Sequence, residues 1–247
     1  MNVFWVVFLG IVQGITEFLP VSSSGHLVLF QELIPSFTQP GALFDVVLHL
    51  GTVCAVLIFF RKKLVGLVKK YWLAFIVGTI PAGLVGILLQ DQIEALFTNV
   101  RFVGLALLFT ALFNFATDRI KTDKRKLVNK NALVIGVFQA LAIIPGISRS
   151  GSTIFAGVNS GIEKERAAEF SFLLSIPAIL GANVLQFTSH GVNGIANPIF
   201  YLVGFFTAFI SGFISISLVL KALCQKRFRL FGYYCLAVGV AVLFFSR

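Results

Sequence analysis

The sequence predicts an all-α polytopic membrane protein, an inverted-topology repeat with six transmembrane helices and two re-entrant helical hairpins. Its composition, the positions of its basic residues and an internal repeat support this fold. Hydrophobic residues make up 57% of the 247 residues and charged residues only 12%, whereas soluble domains carry about 25% charged residues. This balance excludes an ordinary water-soluble globule, and it also excludes disorder, which needs low hydrophobicity and high charge. Residues 1–247 are predicted to form a single integral membrane domain.

Apolar stretches define the predicted elements in chain order. A helix needs about 20 apolar residues to cross a bilayer, so a shorter stretch indicates a re-entrant segment. The two shortest stretches, 26–34 and 152–161, are therefore predicted to belong to re-entrant hairpins. The ten stretches are 2–19, 26–34, 43–60, 71–89, 102–117, 131–144, 152–161, 168–187, 199–223 and 231–245.

The basic residues indicate which loops face the cytoplasm. The net charge is +10, which by itself also suggests a nucleic-acid partner. In a membrane protein, however, Lys and Arg gather in cytoplasmic loops. Most of them fall in four loops on one side of the predicted map, and two other loops, 90–99 and 188–198, contain no Lys or Arg. We therefore predict external termini, a first hairpin that enters from outside, a second that enters from inside, and no nucleic-acid partner.

The chain also matches itself at an offset of 126 residues, the separation of Gly10 from Gly136. The repeats span about 1–121 and 127–247, each with one broken hairpin and three spans, so the odd number of spans inverts the second repeat. Inverted repeats with discontinuous helices place binding sites near the membrane midplane, where the breaks meet. The offset superimposes Gln13, Ser22, Ser24 and Gly25 on Gln139, Ser148, Ser150 and Gly151, and Gly78, Ala82 and Gly86 on Gly204, Ala208 and Gly212.

The first break combines a carboxylate with a run of hydroxyls. Gln13 and Glu17 are four residues apart and share a helix face. Pro20 and Gly25 then interrupt the helix, and His26 follows. Between them lie Ser22, Ser23 and Ser24. An ionisable residue inside a membrane is a functional candidate by default, which applies to Glu17 and His26.

The second break places an arginine among small and hydroxyl-bearing residues. Backbone N–H groups freed by the break, the hydroxyls and the guanidinium of Arg149 together form a predicted anion site. The guanidinium fork suits phosphate better than the point charge of lysine. The residues around Arg149 are Gly146, Ser148, Ser150 and Gly151.

Structural explanations compete with these assignments. Glu17 and Arg149 would also fit a structural ion pair across the repeat axis, and the serines would fit helix caps. His26 would fit a satisfied interfacial histidine. Asp45 is a candidate for a supporting group behind the site, and His49, on the same face as Asp45, is expected to be structural packing.

The residues 13–26, together with 145–151, resemble the signatures of the undecaprenyl-pyrophosphate phosphatase family, also called bacitracin-resistance proteins. One signature is an acidic or Gln residue four residues before Glu, leading to a Ser-rich Gly-His; the other is Pro-Gly-x-Ser-Arg-Ser-Gly. Both occur in order, and the resemblance covers essentially the whole chain. Some members have Glu where this chain has Gln13.

The resemblance implies hydrolysis of a polyprenyl pyrophosphate to the monophosphate, which recycles the lipid carrier for bacterial cell-wall synthesis. Arg149 would bind the pyrophosphate and assist catalysis, while Glu17 and Gln13 would hold a divalent cation, Mg²⁺ or Ca²⁺. His26 would handle a proton. Ser23, or its neighbour Ser22, would be the nucleophile or a hydrogen-bond donor.

The expected partners are the polyprenyl pyrophosphate substrate and membrane lipid, and a homodimer is one candidate assembly. The expected location is the bacterial cytoplasmic (inner) membrane, with a site that opens to the external side.

Two alternatives stay open. An inverted repeat is also typical of secondary transporters, and a lipid flippase activity is a variant of that hypothesis. The run Ser24-Gly25-His26 suggests a phosphatidic-acid-type phosphatase, but that family needs a histidine soon after the Ser-Arg pair. No histidine occurs between Arg149 and His190, so this alternative is weak.

Overall fold

The computed structural model describes residues 2–33, 43–122, 125–190 and 198–246. Within these ranges the chain forms helices throughout, with a backbone bridge between Arg125 and Ile162. Lys124, residue 34 of the second predicted segment and most of the loop 188–198 lie outside the described residues. The helices are α1 (Val3–Phe18), α2 (Ser23–Leu33), α3 (Leu43–Phe59), α4 (Arg61–Leu88), α5 (Gln90–Phe97), α6 (Val100–Arg119), α7 (Asn129–Leu141), α8 (Arg149–Asn159), α9 (Lys164–His190), α10 (Pro198–Cys224) and α11 (Arg229–Phe245).

The helices are those of a multi-pass membrane protein. Four of them, α4, α6, α9 and α10, are long and apolar enough to cross a membrane, and α1, α3 and α11 are shorter apolar helices. Each of the ten predicted apolar stretches lies on a helix. The predicted all-α membrane class is therefore confirmed.

Two helices, α4 and α5, extend beyond the apolar pattern or fall outside it. Helix α4 begins at Arg61, ten residues before its predicted apolar stretch, and non-helical backbone angles at Tyr71 mark a kink between its basic and apolar parts. Helix α5 was not predicted, because its eight residues are too few and too polar to form an apolar stretch. Apolar composition thus locates spans but misses helical turns at the membrane surface.

Both breaks are built by the same hydrogen bonds. Helices α2 and α8 begin at serine-rich turns, earlier than their apolar stretches indicated. The Gly25 N–H donates to Ser22 Oγ at 3.3 Å, and at the offset position the Gly151 N–H donates to Ser148 Oγ at 3.1 Å. The hydroxyls of Ser22 and Ser24 are 3.3 Å apart, and those of Ser148 and Ser150 are 3.2 Å apart. The repeated residues therefore serve the same local purpose in both halves.

Small residues let helix pairs approach closely. Helix α1 packs along α10 and α7 packs along α4. A Cβ at Gly10 would lie 3.0 Å from the carbonyl oxygen of Gly204, and one at Gly136 would lie 2.6 Å from that of Gly78. These contacts involve the small residues that the offset superimposes. Small residues let the backbones of membrane helices pack directly against each other. The sequence offset relates the two contacts: it superimposes Gly10 on Gly136 and Gly78 on Gly204.

Polar contacts join helix ends at one side of the bundle. Asp118, near the end of α6, accepts the backbone N–H of Arg229 at 2.8 Å and lies 3.7 Å from Lys164 Nζ. Lys63, at the start of α4, pairs with Glu169 of α9 at 2.7 Å. At the other end of α6, Arg101 Nε donates to the Ser246 carbonyl at 3.1 Å. The described basic loops therefore share one end of the molecule.

The core lies beneath the two breaks. Phe18, the last residue of α1, is fully buried and packs edge-on against Phe172 of α9, with ring centroids 5.5 Å apart. Ile154 of α8 and Leu174 of α9 belong to the same buried cluster. This packing fixes the end of α1, and therefore Glu17, against the helices of the second half.

Candidate active site

The two breaks meet through a buried ion pair. Arg149 Nη2 donates to Glu17 Oε1 at 2.5 Å, and the side chains are 14% and 5% exposed respectively. Arg149 Nη1 also donates to the backbone carbonyl of Ser171 at 3.2 Å. Arg149 is the first residue of α8 and Glu17 lies in the last turn of α1. The tertiary structure thus joins the charged residues that the sequence assigned to separate breaks.

The second oxygen of Glu17 accepts two more hydrogen bonds. Gln13 Nε2 donates to Oε2 at 3.0 Å, because the two residues share one face of α1. Ser23 Oγ donates to the same oxygen at 2.7 Å. Such charge-assisted hydrogen bonds orient a carboxylate firmly, so Glu17 has a fixed position between Arg149 and the serine run.

The three serines of the first break differ in accessibility. Ser22 is buried, and its φ of 72° lies in the left-handed region, which bends the chain between α1 and α2. Ser23 and Ser24 are only partly buried. Ser23 is therefore the hydroxyl of this run that combines partial exposure with a hydrogen bond to Glu17.

His26 is engaged through both ring nitrogens. Nδ1 donates to the Ser22 carbonyl at 2.8 Å, since a carbonyl oxygen can only accept. Nε2 lies 2.7 Å from the Tyr234 hydroxyl, and the two rings stack with centroids 5.5 Å apart. His26 is 2% exposed. Proton transfer through His26 would therefore pass by way of Tyr234 or require this hydrogen bond to open.

The second break is held together by its own polar groups. Ser148 caps α8 and its N–H donates to Thr110 Oγ1 at 2.9 Å. Ser150 Oγ donates to the Leu19 carbonyl at 3.1 Å. Both serines are 1% exposed, so their hydroxyls have structural partners, as the capping alternative describes.

The two glycines of the second break allow close approach between the hairpins. Gly146 has a φ of +95°, and a Cβ there would lie 2.5 Å from the Val103 carbonyl oxygen. A Cβ on Gly151 would lie 3.2 Å from Pro20 Cβ, and one on Gly25 would lie 3.0 Å from Gly146 Cα. The tips of the two hairpins therefore pack directly against each other.

His49 lies at the site, although the sequence indicated only structural packing. Its Nε2 is 3.8 Å from Glu17 Oε2 and its side chain is 26% exposed. Asp45 lies behind it, because the Asp45 carbonyl accepts from His49 Nδ1 at 2.7 Å and its carboxylate accepts from Gln31 Nε2 at 3.2 Å. The four-residue spacing places Asp45 and His49 on one face of α3, but it does not indicate that this face is turned toward Glu17.

The oxygen atoms around Glu17 fit a divalent cation whose coordination is completed by substrate phosphates and waters. Gln13 Oε1 is buried and finds no hydrogen-bond partner within the described residues. The described part of the chain contains no group of three or more His, Cys, Asp or Glu that could hold a metal ion. Mg²⁺ commonly binds through one or two carboxylates together with substrate phosphates and waters. Glu17 and the amide oxygen of Gln13 match such a site.

A guanidinium, an oriented carboxylate and a partly exposed serine hydroxyl thus converge where two helix breaks meet. This arrangement defines a polytopic membrane protein with a buried charged site between its helix breaks. Residues 6–241 match the model of the family described as "Bacitracin resistance protein BacA". The chain belongs to this family.

Curated relatives align over nearly the whole chain. An undecaprenyl-diphosphatase of Halothermothrix orenii is 42% identical, with 98% of each chain covered. One of Carboxydothermus hydrogenoformans is 41% identical, with 98% of this chain and 97% of the relative covered. A third, of Methanosphaera stadtmanae, is 38% identical over 100% of this chain and 99% of the relative. The family resemblance drawn from the two motifs is therefore confirmed.

Proposed function

We propose that this protein hydrolyses undecaprenyl pyrophosphate, or a related polyprenyl pyrophosphate, to the monophosphate and inorganic phosphate. The observation that carries the proposal is the Arg149–Glu17 pair with Ser23 on the same carboxylate. The relatives share the name of a hydrolase of this substrate, which favours hydrolysis over the transporter alternative. In a bacterial cell, this activity would recycle the lipid carrier for the cell wall and give bacitracin resistance.

Arg149 is the proposed pyrophosphate-binding group. Phosphoryl transfer is helped mainly by positioning and by neutralising charge on the phosphate oxygens. One guanidinium nitrogen is held by Glu17 and another by the Ser171 carbonyl, so the fork is oriented before substrate binds. Ser22, Ser24, Ser148, Ser150, Gly146 and Gly151 shape the proposed substrate-binding breaks around it.

Ser23 is the proposed nucleophile or hydrogen-bond donor at the terminal phosphate. Its hydroxyl proton already points to Glu17 Oε2 at 2.7 Å, so Glu17 can accept that proton as the oxygen attacks phosphorus. When Ser23 is the nucleophile, its oxygen bonds to the terminal phosphorus as the bond to the bridging oxygen breaks, and the lipid monophosphate leaves with the electron pair. Water then attacks the phosphoserine, a proton from that water returns the Ser23 oxygen to a hydroxyl, and inorganic phosphate leaves. His26, in contact with the Tyr234 hydroxyl, is proposed to carry a proton for this reaction.

Glu17 and Gln13 are the proposed ligands of the divalent cation, with Asp45 in support. Held by these residues, a cation would supply positive charge that neutralises the phosphate oxygens. The buried amide oxygen of Gln13, which has no hydrogen-bond partner among the described residues, supports this assignment.

We infer an inverted repeat, about 1–121 and 127–247, with six spans and two re-entrant hairpins. The matching hydrogen bonds of the two breaks and the exchanged helix pairs support it. The clustering of described basic loops at one end supports a cytoplasmic end, external termini and a site that opens outward in the cytoplasmic membrane.

The proposed homodimer is checked by the mass of the detergent-solubilised particle.

The test is phosphate release by the purified protein from prenyl pyrophosphate, compared with soluble phosphoesters. We expect release from the lipid substrate and much less from the soluble ones, with Arg149→Ala inactive. Movement of a solute or lipid across proteoliposomes without phosphate release would instead identify a transporter or flippase.

A further inference from the structure

His49 has one ring nitrogen committed to its own helix and the other directed toward Glu17. Nδ1 lies 2.7 Å from the Asp45 carbonyl oxygen. Because a carbonyl can only accept, Nδ1 carries the proton and donates it. In the neutral ring, the lone pair is then on Nε2, so this nitrogen is an electron-pair donor at the site.

The contact between Nε2 and Glu17 is too long for a direct hydrogen bond. Nε2 lies 3.8 Å from Oε2, beyond the usual range for nitrogen–oxygen hydrogen bonds. In the neutral ring, the Nε2 lone pair and the carboxylate oxygen repel each other. Either a proton on Nε2, which would make the contact an ion pair, or a cation between the two atoms removes this repulsion. Two metal–ligand bonds of about 2.1 Å can together span roughly 4 Å, so one ion can reach both atoms.

The amide of Gln13 supplies an independent observation at the same carboxylate. Its Nε2 donates to Glu17 Oε2 at 3.0 Å, so the amide lies beside this oxygen. Its Oε1 has no hydrogen-bond partner in the described ranges of the chain, and Gln13 is 0% exposed. An unpartnered oxygen in such a place is most simply explained by a ligand that the site is built to receive.

We propose that His49 Nε2 is a ligand of the divalent cation beside Glu17. The inference rests on the proposed function for the cation's role, but its ligand set rests on the geometry. With imidazole nitrogen, carboxylate and amide oxygen as donors, the site prefers cations that accept nitrogen ligands, such as Mn²⁺, over Ca²⁺, which takes oxygen ligands. The hydrogen bond from Nδ1 to a backbone carbonyl is the usual arrangement behind a metal-binding histidine.

His26 lacks this capacity. Both of its ring nitrogens have partners, Ser22 and Tyr234. The two histidines of the site region therefore differ in whether a nitrogen lone pair is open, and His26 provides a matched control for His49.

The experiment is pulsed electron paramagnetic resonance of Mn²⁺ bound to the purified full chain in detergent, with a methylene-bridged prenyl bisphosphonate as the non-hydrolysable substrate analogue. We expect a ¹⁴N coupling from a directly bound histidine in the wild type and in His26→Gln. The coupling is lost in His49→Gln, where only an amide oxygen can bind. In parallel binding measurements, His49→Gln lowers Mn²⁺ affinity at least about tenfold relative to Ca²⁺ affinity.

The proposal is overturned by an absent ¹⁴N coupling in the wild type, a coupling that persists in His49→Gln, or tighter binding of Ca²⁺ than of Mn²⁺. Labelling the wild type with ¹⁵N-histidine tests direct histidine ligation even if the variant does not fold. If a histidine is bound, a ¹⁵N coupling must replace the ¹⁴N coupling. Loss of the proposed function is separate: a wild type that binds Mn²⁺ through His49 but releases no phosphate refutes the phosphatase and keeps the metal site.

Discussion

Arg149 of α8 and Glu17 of α1, separated by 132 residues in the chain, form a hydrogen-bonded ion pair 2.5 Å long. Both side chains are largely buried. Charges removed from water in this way are stable only as a pair. The contact therefore joins the two breaks physically and also keeps the proposed phosphate-binding group oriented.

This pair predicts that stability and activity can be separated. Glu17→Gln alone leaves Arg149 buried without its counter-charge and should destabilise the protein by about 3–5 kcal/mol. The double variant Glu17→Gln with Arg149→Met should recover most of that stability, while phosphate release stays at least about tenfold below wild type. Thermal unfolding in detergent and phosphate release measure the two effects. Wild-type activity in the stable double variant would make the pair purely structural.

Replacing Ser23 and replacing Ser148 with alanine should affect kcat and stability differently. Ser23→Ala removes the partly exposed hydroxyl on Glu17 and should lower kcat at least about tenfold with little loss of stability. Ser148→Ala removes the cap of α8 and should cost about 0.5–2 kcal/mol of stability, with a smaller effect on kcat. Steady-state kinetics and thermal unfolding of both variants check this. Equal losses of kcat would argue against a special role for Ser23.

The cation proposal predicts a graded response at Gln13. A chelator should abolish turnover, and added divalent cation should restore it. Gln13→Glu should lower the cation concentration needed for half-maximal activity, because a second carboxylate strengthens an oxygen site. Gln13→Leu should raise that concentration. Full activity of the wild type in chelator would remove the cation from the reaction.

Close helix contacts should make Gly14 far less tolerant than Gly83. A Cβ at Gly14 would collide with Ser211 Oγ and the Ala208 carbonyl, whereas nothing lies within 4 Å of one at Gly83. Gly14→Ala should therefore destabilise by roughly 1–3 kcal/mol, the typical cost of overpacking. Gly83→Ala should be neutral or slightly stabilising, because alanine favours helix. Thermal unfolding of the two variants provides the comparison.

Sidedness is checked by labelling single cysteines introduced in a cysteine-free background. Gln92 on α5 and Asn129 at the start of α7 are both exposed. The basic-loop pattern predicts that a membrane-impermeant thiol reagent labels Gln92→Cys in intact cells, and Asn129→Cys only after lysis. The opposite result would reverse the orientation.

Much of the fold could be predicted because the bilayer imposes simple rules on sequence. Apolar length located ten stretches that lie on helices. The offset between Gly10 and Gly136 related positions in the two halves, but it did not indicate which helices pack together. Helix α5 and the basic start of α4 escaped, since they lie outside the apolar pattern. Their helical structure depends on local turns and contacts and not on the length of an apolar stretch.

The sequence identified residues of the site, but it did not indicate the contacts between them. Pattern alone selected Glu17, Ser23 and Arg149, which the structure brings together, because charges and hydroxyls at a helix break in an apolar chain are unusual. The pattern did not indicate which histidine lies beside Glu17. Only tertiary structure places one histidine against Tyr234 and turns the other toward the carboxylate.

The sequence by itself determined the membrane class, the two helix breaks and the chemical groups they carry, because composition, helix length and backbone-breaking residues act locally. The tertiary structure decided which groups meet, since contacts such as that between Arg149 and Glu17 depend on how distant helices pack. It also decided which side-chain atoms of the site have hydrogen-bond partners among the described residues. That depends on every neighbour of a side chain, and no spacing along the chain encodes it.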